Sequence, residues 1–201
     1  MMIKKQNYLK HAIVLFLLLL LMQPERAWAA YENVEFSSLT NHDGLTNSQV
    51  GAILKDTRGY IWFGTQSGLC RFDGFRMKTF YYSNTDDKSL PNNSVDELQQ
   101  DYDGNIWVHT SVGYSIYKYD EEQFERKPEE WLKNIHVQGP PYKLLIDKDK
   151  NMWIAVYGQG LFFHNARTKN TYLFKFTKKA QPGCLKEGNI SKITEVDGDA
   201  L

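Results

Sequence analysis

The residues from Asp56 to Gly74 read DTRGYIWFGTQSGLCRFDG, and the chain says the same thing twice more: DYDGNIWVHTSVGYSIYKYD over Asp101–Asp120 and DKDKNMWIAVYGQGLFFHN over Asp147–Asn165. Every copy opens on an aspartate and reaches a tryptophan six residues later, in the pairs Asp56/Trp62, Asp101/Trp107 and Asp147/Trp153. The tryptophans follow one another at intervals of 45 and 46 residues. A period of that size, made of short alternating apolar runs cut by polar turns, describes a four-stranded unit that cannot bury both its faces alone and must stack on its neighbours. The fold expected is all-β: an incomplete β-propeller of about three four-stranded blades and the start of a fourth.

The blades are expected at about 45–83, 90–125 and 141–176, with a fourth opening at about 188–201, where Ile190 and Ile193 match Val50 and Ile53. In the first copy the strands read Val50–Lys55, Tyr60–Thr65, Leu69–Phe72 and Met77–Tyr82. Turn glycines recur before the tryptophan strand at Gly59 and Gly104, and after it at Gly68, Gly113 and Gly160, where a positive φ suits glycine. The alternation of Val34, Phe36 and Ser38 reads as a lone strand that would complete the last blade of a closed ring. The segment Glu125–Ile135 has a weak helical rhythm and reads as an insertion at the blade periphery. The fourth copy stops at Leu201, one residue short of its tryptophan, which reads as a truncated product with an open arc and unpaired edges.

Ahead of the repeats stands a different kind of segment. Lys4, Lys5 and Lys10 precede the apolar run Ala12–Met22, followed by Pro24 and the small-x-small triplet Ala27-Trp28-Ala29, the layout of a secretory signal peptide cleaved between Ala29 and Ala30. An apolar run of 11 residues falls short of a membrane span, which needs about 20. Removing residues 1–29 leaves 20 basic and 23 acidic residues, with no basic stripe, so nucleic acid is not an expected partner. The two cysteines, Cys70 in a first-copy strand and Cys184 in a loop after the third, sit too far apart in the repeat order to favour a disulfide.

The stretch GLTNSQVGAILKDTRGYIWFGTQSGLCRFDGFRMKTF, from Gly44, strongly resembles the two-component regulator propeller repeat found in exported sensor regions of hybrid two-component systems, and the lead-in FSSLTNHDGL resembles the start of such sensors. The resemblance implies a periplasmic sensor region in a parent anchored in the inner membrane, recognising oligosaccharides and controlling glycan-utilisation genes. It implies as partners an oligosaccharide ligand and either the remainder of the receptor or a second copy of the parent. Kinase, receiver and DNA-binding parts are not in this sequence, so no enzyme activity is expected of it. The second copy departs from the repeat with His109 where Gly64 stands in the first, and with Tyr114; the third has Lys150 for glycine and an extra residue before Gly160. A fragment of an exported propeller lyase or hydrolase, and a secreted interaction propeller, remain alternatives on a fold that hosts many functions.

Individual motifs weigh towards structure. Trp62, Trp107 and Trp153 could stack on sugar rings, but apolar flanks such as Ile61 and Phe63 place them in the packing between blades. Asp101-Tyr102-Asp103-Gly104-Asn105 looks like the opening of a calcium loop, yet Val112 stands where the closing glutamate belongs, so a capped hairpin turn is expected and no metal. Asp56, Gly59, Trp62, Gly64, Gly68, Asp101, Gly104, Trp107, Gly113, Asp147, Trp153 and Gly160 therefore form a structural signature. No catalytic motif and no cofactor fingerprint is present. For a bound glycan the candidate contacts are loop aromatics, Tyr81, Tyr82, Tyr114, Trp131 and Tyr157, with the site itself unassigned.

Overall fold

The computed structural model describes residues 36–179, 181–186 and 189–195. The chain divides into Met1–Ser37 and Ser38–Leu201. Of the first unit only residues 36 and 37 are described, and they lie in no regular element. The proposed leader, its cleavage point at Ala29 and Ala30, and Val34 lie outside the described residues.

The second unit is three successive antiparallel meanders. Strands β1 (Val50–Lys55), β2 (Ile61–Thr65), β3 (Gly68–Phe72) and β4 (Met77–Phe80) form the first sheet. The second contains β5 (Val95–Gln100), β6 (Ile106–Thr110), β7 (Gly113–Lys118) and β8 (Gln123–Glu125). The third contains β9 (Pro141–Ile146), β10 (Met152–Val156), β11 (Gly160–His164) and β12 (Thr171–Thr177), and adds β13 (Leu185–Lys186) in parallel at its outer edge. That fifth strand falls in a stretch that reads as loop from sequence. A helix, α1 (Pro128–Lys133), sits in the connection between the second and third sheets, with proline in its first turn, where the missing N–H costs nothing.

The sheets are stacked as blades, and the residues between them are the core. Trp62, Leu69 and Leu54 of blade 1 meet Val95, Leu98, Ile106, Val108, Tyr117 and Phe124 of blade 2. The other face of blade 2, with Trp107, Tyr114 and Ile116, meets Leu144, Met152, Ile154, Val156 and Phe162 of blade 3, and Leu132 of α1 joins them. Blade 2 thus buries one face against blade 1 and the other against blade 3, as the period requires. The arrangement is a partial β-propeller. Inner strands β1, β5 and β9 all carry a one-residue bulge, at Gly51, Asp96 and Tyr142. A bulge bends its strand and re-aims the extra residue, here near the same end of each blade.

Two expected segments differ from the sequence reading. Phe36 and Ser38 are not in a strand. Immediately beyond them Thr40 and Asp43 close a capping box around a 3-10 turn at Asn41–Asp43, and Leu39 and Leu45 then lie on Phe63 and Cys70, covering the free face of blade 1. Residues 189–195, where the fourth blade would begin, run without regular structure. They are held at the third blade by Ile190 N donating to Tyr142 Oη at 3.0 Å and Lys148 N donating to Glu195 Oε2 at 3.1 Å. The positions that would supply a hairpin partner, 196–201, lie outside the described residues. Cys70 and Cys184 are both free thiols.

Candidate ligand-binding surfaces

The aspartate and tryptophan of each repeat hold one another. Trp62 Nε1 donates to Asp56 Oδ2 at 2.7 Å, Trp107 Nε1 to Asp101 Oδ2 at 2.9 Å and Trp153 Nε1 to Asp147 Oδ2 at 3.2 Å. The other carboxylate oxygen takes backbone N–H groups of the turn: Arg58 and Tyr60 on Asp56, Asn105 on Asp101, Asn151 on Asp147. One carboxylate therefore closes the hairpin turn and satisfies an indole that the next blade covers, which explains the constant separation of six residues. Trp62 is 0% and Trp107 1% exposed, whereas Trp153, with no following sheet described, is half-buried. Trp62 and Trp107 are thus enclosed in the packing between blades. Around Trp62 the rings of Phe80, Tyr117 and Tyr119 lie at centroid distances of 5.7, 5.1 and 6.0 Å. The Tyr119 hydroxyl donates to Asp56, and burial followed by that carboxylate pushes its phenol well above the usual range.

Connectivity puts the remaining aromatics at definite ends. The turns at 56–60, 101–105 and 147–151 and those between third and fourth strands lie at one end of the blades; the turns between second and third strands and the links between blades leave from the other. Tyr81 and Tyr82 in the first link and Tyr157 in the third-blade turn are 51%, 48% and 62% exposed at that second end. Tyr157 stacks on the bulged Tyr142 at 4.0 Å. Arg126 fixes the first link by donating to the carbonyls of Ser83, Asp86, Ser89 and Leu90, and its guanidinium lies over Tyr82 at 5.4 Å.

Tyr114 and Trp131 do not join this exposed group. Tyr114 is buried; its hydroxyl donates to Glu97 Oε2 at 3.0 Å and accepts from Leu144 N at 3.1 Å. Burial, then the Glu97 charge, raises its phenol far out of the physiological range. Trp131 sits on α1 with its ring edge-on to Trp107 at 5.3 Å.

The seam between blades 2 and 3 carries polar groups at two positions that are glycine and leucine in blade 1. At the register of Gly64 in blade 1, blade 2 carries His109, whose Nδ1 lies 2.6 Å from Asp96 Oδ1 and whose ring lies 4.5 Å from that of Tyr114. A side chain at Gly64 would meet Val95 Cγ1 at 2.6 Å, so glycine is what lets blade 2 approach blade 1. Gln99 stands where blades 1 and 3 have Leu54 and Leu145. Its amide accepts from Ile146 N and donates to the Leu144 carbonyl, acting as a short extra strand along β9. The sequence marks His109 as a departure but gives no sign that Asp96, Glu97 and Gln99 converge with it, because a bulge and an inter-blade contact bring them there.

At the opposite end of the same seam lies a cleft of about 270 Å³, walled by the turns of blades 2 and 3 and by α1. Tyr102, Trp131, Lys150 and Lys169 line it, with His164 at its floor, 5% exposed and hydrogen-bonded through Nδ1 to Thr171 Oγ1 at 2.9 Å. Burial, and secondarily Lys169, holds His164 below the ordinary imidazole range. Among the described residues no group of His, Cys, Asp and Glu is arranged to hold a metal ion, and no helix is long and apolar enough to cross a membrane.

The family model for the two component regulator propeller matches residues 44–67 and 89–111, which run from the approach to β1 through the turn after β2 and from the approach to β5 through β6. The chain carries two-component regulator propeller repeats. Blade 3 repeats the same sheet order, aspartate turn and indole bond as these matched repeats. A histidine kinase of Formosa agariphila, "Histidine kinase P4", is 41% identical over 61 residues, 30% of this chain and 4% of that protein's length. Among solved structures, an extracellular domain assigned to a hybrid two component system of B. thetaiotaomicron aligns with 69% of this chain and 26% of its own at 18% identity and a TM-score of 0.34. A second such domain aligns with 63% and 25% at 18% identity and a TM-score of 0.36. An inactive virginiamycin B lyase from Staphylococcus aureus aligns with 66% and 43% at 14% identity and a TM-score of 0.39. The propeller assignment rests on the sheets and on the matched repeats.

Proposed function

We propose that this chain is the ligand-sensing propeller segment of a hybrid two-component regulator, exported by its first 29 residues and responding to oligosaccharides that signal glycan supply. The observation that carries the reading is the match of two repeats, at residues 44–67 and 89–111, to the two-component regulator propeller. Two further features support it. Propeller links and turns carry function on a rigid scaffold, and here they present exposed tyrosines, Tyr81, Tyr82 and Tyr157, at one end of the blades. Arg126 pins the first link beneath Tyr82, which suits a preformed recognition surface. Phosphoryl transfer and DNA binding belong, in this reading, to other parts of the parent regulator.

The test is calorimetric titration of the purified chain with oligosaccharide pools prepared by partial digestion of several glycans. Binding of one pool, competed by its purified components, supports the reading. Failure of every pool, with the protein shown folded by its tryptophan emission, refutes the carbohydrate part of it.

A further inference from the structure

The cleft between blades 2 and 3 is built at a conformational cost that the fold does not require. Among the described residues four that are not glycine have positive φ: Glu122, His136, Lys150 and Lys169. Lys150 (φ 65°) and Lys169 (φ 61°) line the cleft, and His136 (φ 62°) follows Ile135, which also lines it. The Lys150 position is decisive. It is the fourth residue of the aspartate turn, occupied in the other two repeats by Gly59 (φ 92°) and Gly104 (φ 84°). A lysine there adopts a left-handed conformation that disfavours every side chain except glycine and, to a lesser degree, asparagine and aspartate. Strained non-glycine residues gather where the surrounding structure uses them, and an observed outlier is a fair start for a functional hypothesis.

What the side chains offer is specific. Lys150 Nζ donates to the Gln100 carbonyl at 3.1 Å, and Lys169 Nζ lies over the Tyr102 ring at 3.8 Å. Neither ammonium has a carboxylate within ion-pair distance among the described residues. Asp101 at the back is occupied by Trp107 and Asn105, whereas Asp103 at the rim is an exposed acceptor. Trp131 and Tyr102 add aromatic surface, and Asn134 an amide. Two cations, one free carboxylate and two rings around a small cleft suit neither a bare inorganic anion, which Asp103 repels, nor an apolar ligand. They suit a hydroxylated ring that carries one acidic group: the acid meets the ammoniums, the hydroxyls meet Asp103 and Asn134, and the ring's apolar face meets indole or phenol.

We propose that this cleft binds an acidic saccharide unit of the hexuronic type, with Lys150 and Lys169 receiving its carboxylate. The proposal deepens the oligosaccharide-sensing reading and rests on it. It places recognition at the blade 2–3 seam, at the end opposite the exposed tyrosines. Helix α1, found only in this link among those described, supplies the wall that makes the site a cleft.

Lys150→Gly and Lys169→Gly are the informative variants, because each places glycine where φ is positive, which offsets the lost contacts to the Gln100 carbonyl and the Tyr102 ring. The full chain and both variants are titrated by calorimetry with a diuronide, with the matching neutral disaccharide and with inorganic sulfate. The diuronide is expected to bind at least tenfold more tightly than the neutral disaccharide, and each variant to lose about tenfold or more, the usual effect of deleting a charged hydrogen bond. Melting temperatures of the variants should stay close to that of the parent chain. Saccharide binding that is unchanged in both variants overturns this site and leaves oligosaccharide sensing standing. Sulfate binding without diuronide binding overturns the saccharide assignment. Absence of binding by all three ligands overturns the proposal, and the digest pools then decide separately whether the chain senses glycans at all.

Discussion

The bond between aspartate and tryptophan predicts a stability difference that the repeats' similarity would otherwise hide. Replacing Asp56 by alanine removes the acceptor of Arg58 N at 2.9 Å, Tyr60 N at 3.0 Å, Trp62 Nε1 at 2.7 Å and the Tyr119 hydroxyl. Residues 57–59 are exposed, so the turn amides can find water, and losing them resembles losing a cap, about 1 kcal/mol. The indole cannot, since Trp62 is 0% exposed and keeps only Tyr119 Oη at 3.1 Å. A charged acceptor lost from a buried donor costs about 1.5–3 kcal/mol. The two effects are not independent, and about 3 kcal/mol is expected in total. Asp147→Ala removes the acceptor of Asn151 N at 2.8 Å and of Trp153 Nε1 at 3.2 Å, but Asp147 and Trp153 are both half-buried and water can replace the carboxylate. Here about 1 kcal/mol is expected. Urea unfolding of the chain and both variants, followed by tryptophan emission, measures the difference. Equal losses within about 0.5 kcal/mol, the scale of ordinary surface substitutions, would refute the argument that the following blade, rather than the turn, makes the bond strong.

Two other outcomes follow from the same contacts. Gly64→Ala places a methyl group 2.6 Å from Val95 Cγ1 and 3.2 Å from the Val95 carbonyl oxygen, so the seam between blades 1 and 2 must open; about 1–3 kcal/mol of destabilisation is expected in a urea titration, and a neutral result would show that β5 yields freely. His164, held neutral by burial, has a folded-state pKa below its unfolded value of about 6.5, so its contribution to stability is complete above that pH and is lost as pH falls through the folded value. The melting temperature should therefore fall between pH 7.5 and pH 5, at about neutral-to-acid conditions where histidine titrates, and fall less in His164→Gln; an identical decline in the variant would assign the effect to other groups.

The meanders were legible in the sequence because their signal is local and repeated. Asp56, Gly59 and Trp62 recur at fixed offsets, and β1 to β4 end within two residues of the strands that alternation and glycine turns suggest. The helical rhythm of Glu125–Ile135 likewise corresponds to α1. What sequence could not supply depends on geometry between repeats. Tyr114 looks like a loop aromatic, yet it heads β7 and is buried because Glu97 and Leu144 N, 17 and 30 residues away, close on its hydroxyl. Trp131 reads as a loop aromatic, and no pattern says that it stands on a helix edge-on to Trp107. β13 pairs in parallel with β12 over a stretch whose proline and glycine announce only a turn.

The departures from the repeat are not spread evenly, and that distribution bears on function. Blades 1 and 2 meet through Gly64, Leu54 and Trp62, where the chain keeps the small residue that close approach demands, with polar contacts such as Arg71 to Tyr117 and Tyr119 to Asp56 around them. Where blades 2 and 3 meet, His109 replaces that glycine, Gln99 replaces the leucine, Lys150 replaces a turn glycine and α1 is inserted alongside. Each change is unfavourable for a simple stacked sheet: a polar group must be partnered when buried, and a lysine must accept a left-handed backbone. The structure meets these demands one by one, with Asp96 for His109, the edge of β9 for Gln99 and the Gln100 carbonyl for Lys150. Drift would not be expected to place three such substitutions and an inserted helix on one seam and supply a partner for each substituted side chain. Local rules broken together and compensated together mark a specialised region on a regular scaffold, so the seam between blades 2 and 3, more than the repeated tryptophans, is where this propeller's selectivity should be sought.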